Sequence, residues 1–317
     1  MATVEYIIEN EYLNPLSIAL SGQCFRWFEL EDGSVATLFG DCAVIFSVSE
    51  NSDNRNTNVI EDAKNIPVKS GKDEALKEMA DWDSCSKIQV TAWSKSLDED
   101  SLIKKINNYL DMETDYKKII DSIDTSDKHL IEASETGKGI RILRQDLWEI
   151  IISFMISQNN NIPRIQGSIR KICERFGKKI DLKAMPEKMS AVWPEELMYA
   201  FPEVWEIDEN KLDGLGLGYR EDYIRTLVSG LKEKKITPYE CFAKECPHER
   251  LLCVKGIGNK VCACIELFGL HDLDAFPVDT WVKKIEKAYY DGRFPREKYI
   301  GTAGVMQQYL FSYERGK

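Results

Sequence analysis

The feature that most constrains the fold of this 317-residue chain is a change of pattern near residue 100. Before it, FRWFELEDGSVATLFGDCAVIFSV (25–48) consists of short apolar and aromatic runs broken at Asp32-Gly33 and Gly40-Asp41. Such breaks are typical of hairpin turns between antiparallel strands, and IQVTAW (88–93) predicts one more strand. From residue 101 onward, apolar residues recur at helical spacing.

Several helices can be placed individually. DLWEIIISFMISQ (146–158) begins with the capping residue Asp146 and is nearly all apolar, which predicts a buried central helix. Residues 162–177 predict an amphipathic helix that ends at a glycine, and residues 219–235 predict a third helix. PHERLLCVKGIGNKVCACIELFGL (247–270) predicts two helices joined by a tight turn.

These patterns predict an α+β chain with two domains. We expect an N-terminal antiparallel sheet domain at 1–115, with an acidic insertion at about 50–95, and a helical domain at 116–317. The most polar part of the insertion, residues 51–84, lacks runs of β-branched residues, and we expect it to be irregular and mobile.

The charge is unevenly distributed along the chain. The net charge is −11, but residues 1–115 hold 10 basic and 22 acidic residues, and the remainder holds 32 basic and 31 acidic residues. The whole-chain value argues against nonspecific binding of nucleic acid, yet the C-terminal two-thirds can carry a local basic face. No apolar run approaches the roughly 20 residues of a membrane span, and the acidic N-terminus does not resemble a signal peptide. We therefore expect a cytosolic protein without membrane contact.

The cysteines and histidines do not indicate a cofactor. The nine cysteines include no CxxC pair, and the three histidines are far apart in the sequence. Free thiols are the expected state, and we predict no metal site and no cofactor.

The residues with the most specific chemistry lie between Val254 and Lys284. Gly256 and Gly258 break one helix before the next begins near Asn259, and the free N–H groups of such a turn suit a DNA phosphate. Lys260 lies in the first helical turn, where the positive end of the helix dipole favours the neutral amine needed for nucleophilic attack. Asp279, 19 residues further on, is the predicted N-cap of another helix and could also stabilise positive charge on a sugar.

Each of these features also has a purely structural interpretation. GxG is compatible with a simple helix–helix corner, Lys260 could extend into solvent or bind phosphate, and Asp279 could only cap its helix. The combination of hairpin, lysine and Pro-Val-Asp is far more specific than any one of its parts.

This combination resembles the helix-hairpin-helix DNA glycosylases, and the lysine after GIGN marks the members that are both glycosylase and lyase. Four further stretches resemble the 8-oxoguanine DNA glycosylases, in order along the chain: SGQCFRW (21–27), RILRQDLWEIIISFMISQNNN (141–161), LGLGYR (215–220) and AGVMQQYLF (303–311). The resemblance implies a TBP-like sheet domain followed by two all-α subdomains, with the helix-hairpin-helix at about 247–270. It implies a monomer that acts on double-stranded DNA containing oxidised guanine. In a bacterium such a protein would be cytoplasmic and associated with the nucleoid, and in a eukaryote it would be nuclear.

The resemblance also implies a role for individual residues. Lys260 would attack C1′ of the damaged nucleotide and form a Schiff base, with Asp279 supporting the oxocarbenium-like transition state. The damaged base would be bound by the carbonyl of Gly22, the sandwich of Cys264 and Phe311, and the amide of Gln307. Asn159 would fill the vacated space in the duplex. The orphaned cytosine would be held by three residues: Arg164, Tyr219 and Arg220.

Alternatives remain open at this stage. Phe311 and Cys264 could be core residues, and Arg164 and Arg220 could pair with surface carboxylates. Trp281 stands where many relatives have a histidine near the phosphate of the damaged nucleotide. A monofunctional alkylated-purine glycosylase would not need Lys260, and a noncatalytic DNA-binding module would use the hairpin for phosphate alone. The C-terminal region holds no four-cysteine cluster, which argues against the iron–sulfur branch of the superfamily.

Overall fold

The structure is a computed structural model that describes residues 1–9, 11–48, 82 and 87–316. The most polar part of the predicted insertion, residues 51–84, lies outside the described residues except for Trp82, which is buried and donates a hydrogen bond to the carbonyl of Gly33. None of the helices in the described part of the chain is both long enough and apolar enough to span a bilayer.

The N-terminal part forms a five-stranded antiparallel sheet in the order β1-β5-β4-β3-β2. The strands are β1 (Ala2–Glu9), β2 (Trp27–Glu29), β3 (Val35–Phe39), β4 (Cys42–Val48) and β5 (Lys87–Ser94). Both predicted hairpin turns are confirmed, and so is the predicted strand at 88–93. All five residues of β3 are buried, because both faces of the sheet are covered.

The two faces of the sheet pack against different parts of the chain. One face contacts α1 (Pro15–Leu20) and α2 (Glu99–Tyr109), whose residues Leu102 and Ile106 are completely buried. The other face packs Trp93 and its neighbours against residues 180–198, a segment that follows the first helices of the helical part. The two predicted domains therefore share an apolar interface, and the boundary near residue 115 remains a prediction.

The rest of the chain is helical. Its helices are α3 (Tyr116–Asp121), α4 (Lys128–Thr136), α5 (Leu147–Ser157), α6 (Ile162–Phe176), α7 (Glu187–Ser190), α8 (Arg220–Lys234), α9 (Pro238–Phe242), α10 (Pro247–Leu252), α11 (Asn259–Gly269), α12 (Thr280–Tyr289) and α13 (Ala303–Gly316), with short 3₁₀ helices at Glu195–Leu197 and Arg296–Lys298. The helices predicted at 146–158, 162–177 and 219–235 are confirmed, and so is the helix–turn–helix at 247–270.

Helix α5 is central to the helical core, as its apolar sequence predicts. Asp146 caps it by accepting a hydrogen bond from the backbone N–H of Glu149, and nine of its eleven residues are buried. Helix α11 packs directly on it, with the rings of Phe154 and Phe268 stacked 5.4 Å apart. The close approach requires a small residue at Gly269, where an added Cβ would lie 3.1 Å from the side chain of Ile150. This contact fixes the position of the hairpin relative to the core.

Candidate active-site cleft

An open cleft of about 800 Å³ lies where the end of α5, the starts of α11 and α12, the end of α13 and the turn at Gly22 meet. Both predicted catalytic residues line it, together with four other residues that the sequence assigned to the site: Gly22, Asn159, Gly258 and Phe311. Gly22 and Phe311, which are 289 positions apart in the sequence, therefore line the same cleft.

The hairpin that carries Lys260 depends on one of its two glycines for steric reasons. Gly256 has φ +92°, and a Cβ there would lie 2.3 Å from the ring of Tyr223. Gly258 is the N-cap of α11 with φ −98°, and an added Cβ would have no atom within 4 Å. Gly256 therefore lets the turn pack against α8, whereas Gly258 leaves open space beside the cleft, where another molecule can approach the helix N-terminus.

Lys260 is half-buried, and its Nζ lies 5.2 Å from the centre of the Phe154 ring. Cys264, one helical turn further along α11, is buried behind it. Burial raises the pKa of the Cys264 thiol to about 11, against the opposing effect of Lys260 and a hydrogen bond between the two side chains. The thiol is therefore protonated at neutral pH, and the lysine amine is held between an aromatic ring and a neutral sulfur.

Asp279 is the N-cap of α12, as predicted. Its Oδ1 accepts hydrogen bonds from the backbone N–H groups of Trp281 at 2.9 Å and Val282 at 2.8 Å. Both bonds use the same oxygen, and no described residue donates a hydrogen bond to Oδ2. The carboxylate is thus oriented by one oxygen while the other is available to a molecule in the cleft.

The opposite wall comes from the C-terminal helix and the Gly22 turn. Gln307, Phe311 and Arg315 follow one another at intervals of four residues on α13, so they lie along one face of that helix. Gly22 has φ +78°, and a Cβ there would lie 3.5 Å from both the Phe311 ring and the Arg315 guanidinium. Gln307, the first residue of this row, is buried and accepts a hydrogen bond from the amide of Gln308.

Asn159 lies at the mouth of the cleft in the left-handed conformation, with φ +46°. Its amide donates to the hydroxyl of Tyr219 at 3.4 Å. The buried guanidinium of Arg220 binds the backbone carbonyls of Gln158, Asn159 and Leu217. Arg220 therefore holds the turn that presents Asn159, and its assignment to the orphaned cytosine stays a prediction.

Arg164 lies in the first turn of α6, where its backbone N–H bonds to the Asn161 side chain. Its side chain is exposed. In the part of the chain that the structure describes, neither the Arg164 nor the Arg220 guanidinium forms an ion pair with a carboxylate. The surface ion pairs considered for them are therefore not formed among these residues. Like Cys264, Gln307, Tyr219 and Arg220, Arg164 lies outside the cleft lining.

Phe154, Lys283 and Arg315 are among the cleft residues that were not identified from the sequence. Burial lowers the pKa of the Arg315 guanidinium, while the charge of Asp279 opposes this effect. Lys260, Lys283 and Arg315 face a single carboxylate, Asp279, so the described cleft lining is net positive in a chain of net charge −11. The spacing of four between Phe311 and Arg315 was the available signal for Arg315, since it places the two residues on one helix face.

The chain is similar to known proteins over much of its length. Residues 6–151 match the family "8-oxoguanine DNA glycosylase, N-terminal domain". The N-glycosylase/DNA lyase of Saccharomyces cerevisiae is 34% identical over 205 residues, which are 61% of this chain and 52% of that protein. The probable N-glycosylase/DNA lyase of Methanothermobacter thermautotrophicus is 29% identical over 237 residues, 68% of this chain and 75% of that protein. The alignment thus spans about half the length of the yeast relative.

Several solved structures cover nearly the whole chain. One of them is the Clostridium acetobutylicum 8-oxoguanine glycosylase/lyase in complex with double-stranded DNA containing cytosine opposite to 8-oxoG. Its TM-score is 0.74 at 28% identity, over 99% of this chain and 98% of that one.

The sheet, the helical core and a hairpin whose lysine shares a cleft with an aspartate form the architecture of the helix-hairpin-helix DNA glycosylases, which this chain resembles. The family match and the relatives narrow this class. Over residues 6–151 by the family match, and over nearly its whole length by structure, the chain resembles the 8-oxoguanine DNA glycosylase/lyases.

Proposed function

We propose that this protein removes 8-oxoguanine paired with cytosine from duplex DNA and then nicks the strand at the abasic site. The observation that carries the proposal is the placement of Lys260 and Asp279 in one open, net positive cleft that also contains Gly22 and Phe311. The choice of 8-oxoguanine as the substrate rests on the names of the relatives, and the cleft is the proposed binding site for this base.

The chemistry follows from an amine and a carboxylate in one cleft. Lys260 Nζ forms a bond to C1′ of the damaged nucleotide while the glycosidic bond breaks. The electron pair of that bond leaves with the base, which takes up the proton that the amine gives up. Positive charge develops on the sugar in the transition state, and the Asp279 carboxylate stabilises it.

The same covalent link accounts for the second step. The sugar ring opens, and Nζ and C1′ form a Schiff base. This imine acidifies the hydrogen on C2′, and loss of that proton expels the 3′ phosphate by β-elimination. Hydrolysis of the imine then returns Lys260 as the free amine. Every step uses one nucleophile and one carboxylate, and none requires a metal ion or an oxidant.

A base can reach Lys260 only if it leaves the helical stack. The cleft is open enough for a nucleotide, and Phe311 offers an aromatic ring close to Gly22. Asn159, which lines the cleft and whose backbone carbonyl accepts a hydrogen bond from Arg220, would enter the vacated space. The hairpin N–H groups at Gly258 and the cleft cations would bind the backbone phosphates.

The proposal is tested by borohydride trapping on a duplex with 8-oxoguanine opposite cytosine. We expect wild-type protein to form a covalent adduct with the DNA, because borohydride reduces a Schiff base to a stable amine. Lys260→Gln should form no adduct and lose at least about 10³-fold of the excision rate, since the nucleophile is absent. Lys283→Gln, which removes another lysine of the same cleft, is the matched control and should still trap.

Two results would contradict parts of the proposal. If wild-type protein releases the base but never traps, the lyase step is wrong. If Lys260→Gln binds the damaged duplex and no wild-type excision is detectable, the protein is a noncatalytic DNA-binding module. Parallel reactions with undamaged and alkylated duplexes, and with adenine opposite the lesion, test the substrate and its partner base.

A further inference from the structure

A second cluster of reactive side chains lies on the hairpin, away from the cleft. It consists of His248 on α10 and of Cys262 and Glu266 on α11. His248 Nδ1 lies 2.9 Å from a carboxylate oxygen of Glu266 and 3.5 Å from Cys262 Sγ. One ligand atom from each residue can be chosen so that all three lie within 4.8 Å of one another. The sequence did not reveal this cluster, because 13 residues separate its histidine from its cysteine.

The positions of these residues on α11 separate the cluster from the active site. Cys262 and Glu266 are four residues apart and share one face of the helix, which is turned toward α10. Lys260 and Cys264 are offset from them by two residues, or about 200° around the helix, and face the other side. One helix therefore presents the catalytic lysine on one side and a cysteine–glutamate pair on the other.

The surroundings of the cluster favour a cation. A cavity of about 410 Å³ beside it is lined by the carboxylates of Glu249, Glu266 and Asp272, and its described lining contains no lysine or arginine. Cys262 is fully buried, Glu266 is mostly buried and the His248 side chain is about half exposed. The burial thus decreases from the sulfur outward, which leaves a path from solvent to the three ligand atoms.

We propose that His248, Cys262 and Glu266 bind a single divalent cation of the zinc class, with water from the cavity as the fourth ligand. Imidazole nitrogen, thiolate sulfur and carboxylate oxygen together match the ligand preference of zinc. Tetrahedral zinc with bonds of about 2.0–2.3 Å places its ligand atoms roughly 3.4–3.8 Å apart. The observed spacings differ from these values by about 1 Å or less, a change that side-chain rotation can supply.

The ion would connect the two helices of the hairpin. Its ligands come from α10 and α11, and the turn at 253–258 lies between those helices. A metal that binds only the folded hairpin stabilises the hairpin. It therefore also fixes the N-terminus of α11 and the backbone of Lys260. The cation therefore serves a structural purpose and takes no part in the reaction.

The test uses the full-length protein after treatment with a chelator, and Co²⁺ as a spectroscopic probe for the zinc site. We expect one equivalent of Co²⁺ to bind with a near-ultraviolet thiolate-to-cobalt charge-transfer band, and Zn²⁺ to displace it. Zn²⁺ at about a hundredfold excess over its Kd should raise the Tm by about 4 °C. Cys262→Ser should abolish the band, and His248→Ala and Glu266→Gln should each weaken binding at least about tenfold.

Matched variants keep the outcome interpretable. Cys246→Ser and Cys253→Ser change exposed cysteines on either side of α10, and both should bind Co²⁺ like the wild type. His248→Ala alters a half-exposed side chain, so it tests the site even if Cys262→Ser fails to fold. The inference is overturned if wild-type protein binds no Co²⁺ or if the three ligand variants bind as tightly as wild type. Neither result would affect trapping at Lys260, so this inference and the proposed function fail separately.

Discussion

The guanidinium of Arg315 lies 5.9 Å from the centre of the Phe311 ring, and both side chains line the cleft that contains Lys260. Arg315 is also partly buried and within electrostatic reach of Asp279. An arginine in this position offers both a cation and a planar surface to a nucleotide that enters beside Phe311.

Replacement of this arginine should weaken the binding of DNA. Arg315→Met keeps an apolar contact with Phe311 but removes the charge, so we expect Kd for the lesion duplex to rise about tenfold. The slope of log Kd against log salt concentration should decrease by about 0.9, which corresponds to the loss of one phosphate contact. Fluorescence anisotropy at several salt concentrations measures both quantities. Arg293→Met changes an exposed arginine outside the cleft lining, and equal losses in both variants would remove Arg315 from the DNA site.

The two roles of Asp279 can be separated by the choice of substituent. Asparagine also accepts hydrogen bonds at an N-cap, so Asp279→Asn should change the free energy of unfolding by less than about 1 kcal/mol. Loss of the negative charge should reduce single-turnover excision about 10²- to 10³-fold. Asp279→Ala should lose activity and also about 1 kcal/mol of stability. Excision by Asp279→Asn at the wild-type rate would show that the residue is only a cap.

The two glycines of the hairpin should respond differently to substitution. Gly256→Ala places a methyl group 2.3 Å from Cδ2 of Tyr223, and the backbone there has φ +92°, which disfavours alanine. We therefore expect the free energy of unfolding to fall by about 2 kcal/mol or more. Gly258→Ser meets no atom and keeps an N-cap residue, so stability should be preserved while affinity for DNA falls. Urea denaturation and anisotropy distinguish these outcomes, and the opposite pattern would contradict the assignment of Gly258 to the phosphate contact.

A buried ion pair between the sheet and α5 should make stability depend on pH. Arg26 Nη1 lies 3.6 Å from Glu149 Oε2, and burial raises the pKa of Glu149 to about 7, against the opposing charge of Arg26. Because the folded state binds this proton more tightly than the unfolded state, the contribution of Glu149 to stability is greatest below pH 4.5 and declines as pH rises to about 7. From pH 5 to pH 8 the loss amounts to about 2 kcal/mol.

Urea denaturation of wild type and Glu149→Gln at both pH values measures this effect. The variant should have nearly the stability of wild type at pH 5, because Glu149 is protonated in the folded protein at that pH and glutamine is a neutral substitute. At pH 8 the variant should be more stable than wild type by about 2 kcal/mol, because only wild type loses the contribution of the bound proton. A difference between the two proteins that is the same at both pH values would show that the pKa of Glu149 is not raised in the folded protein.

Much of the local structure could be predicted because it depends on neighbouring residues. The capping roles of Asp146 and Asp279, the breaks at Asp32-Gly33 and Gly40-Asp41, and the turn at Gly256 were all recognisable from short stretches. Local propensities and side-chain capping act over a few residues, so they are visible in sequence. The covering of the sheet by residues 180–198 was not visible, since nothing near Trp93 indicates what packs on it.

For the site, the sequence by itself determined the residue types and their order: a glycine-bounded lysine, an aspartate behind Pro-Val, and the flanking stretches that carry the family resemblance. Only the tertiary structure decided that Gly22, Lys260, Asp279 and Phe311 line one cleft, because their contacts cross most of the chain. It also added Arg315 to the cleft and brought His248 to Cys262 and Glu266. Helix packing sets those distances, and packing depends on side chains that are remote in sequence.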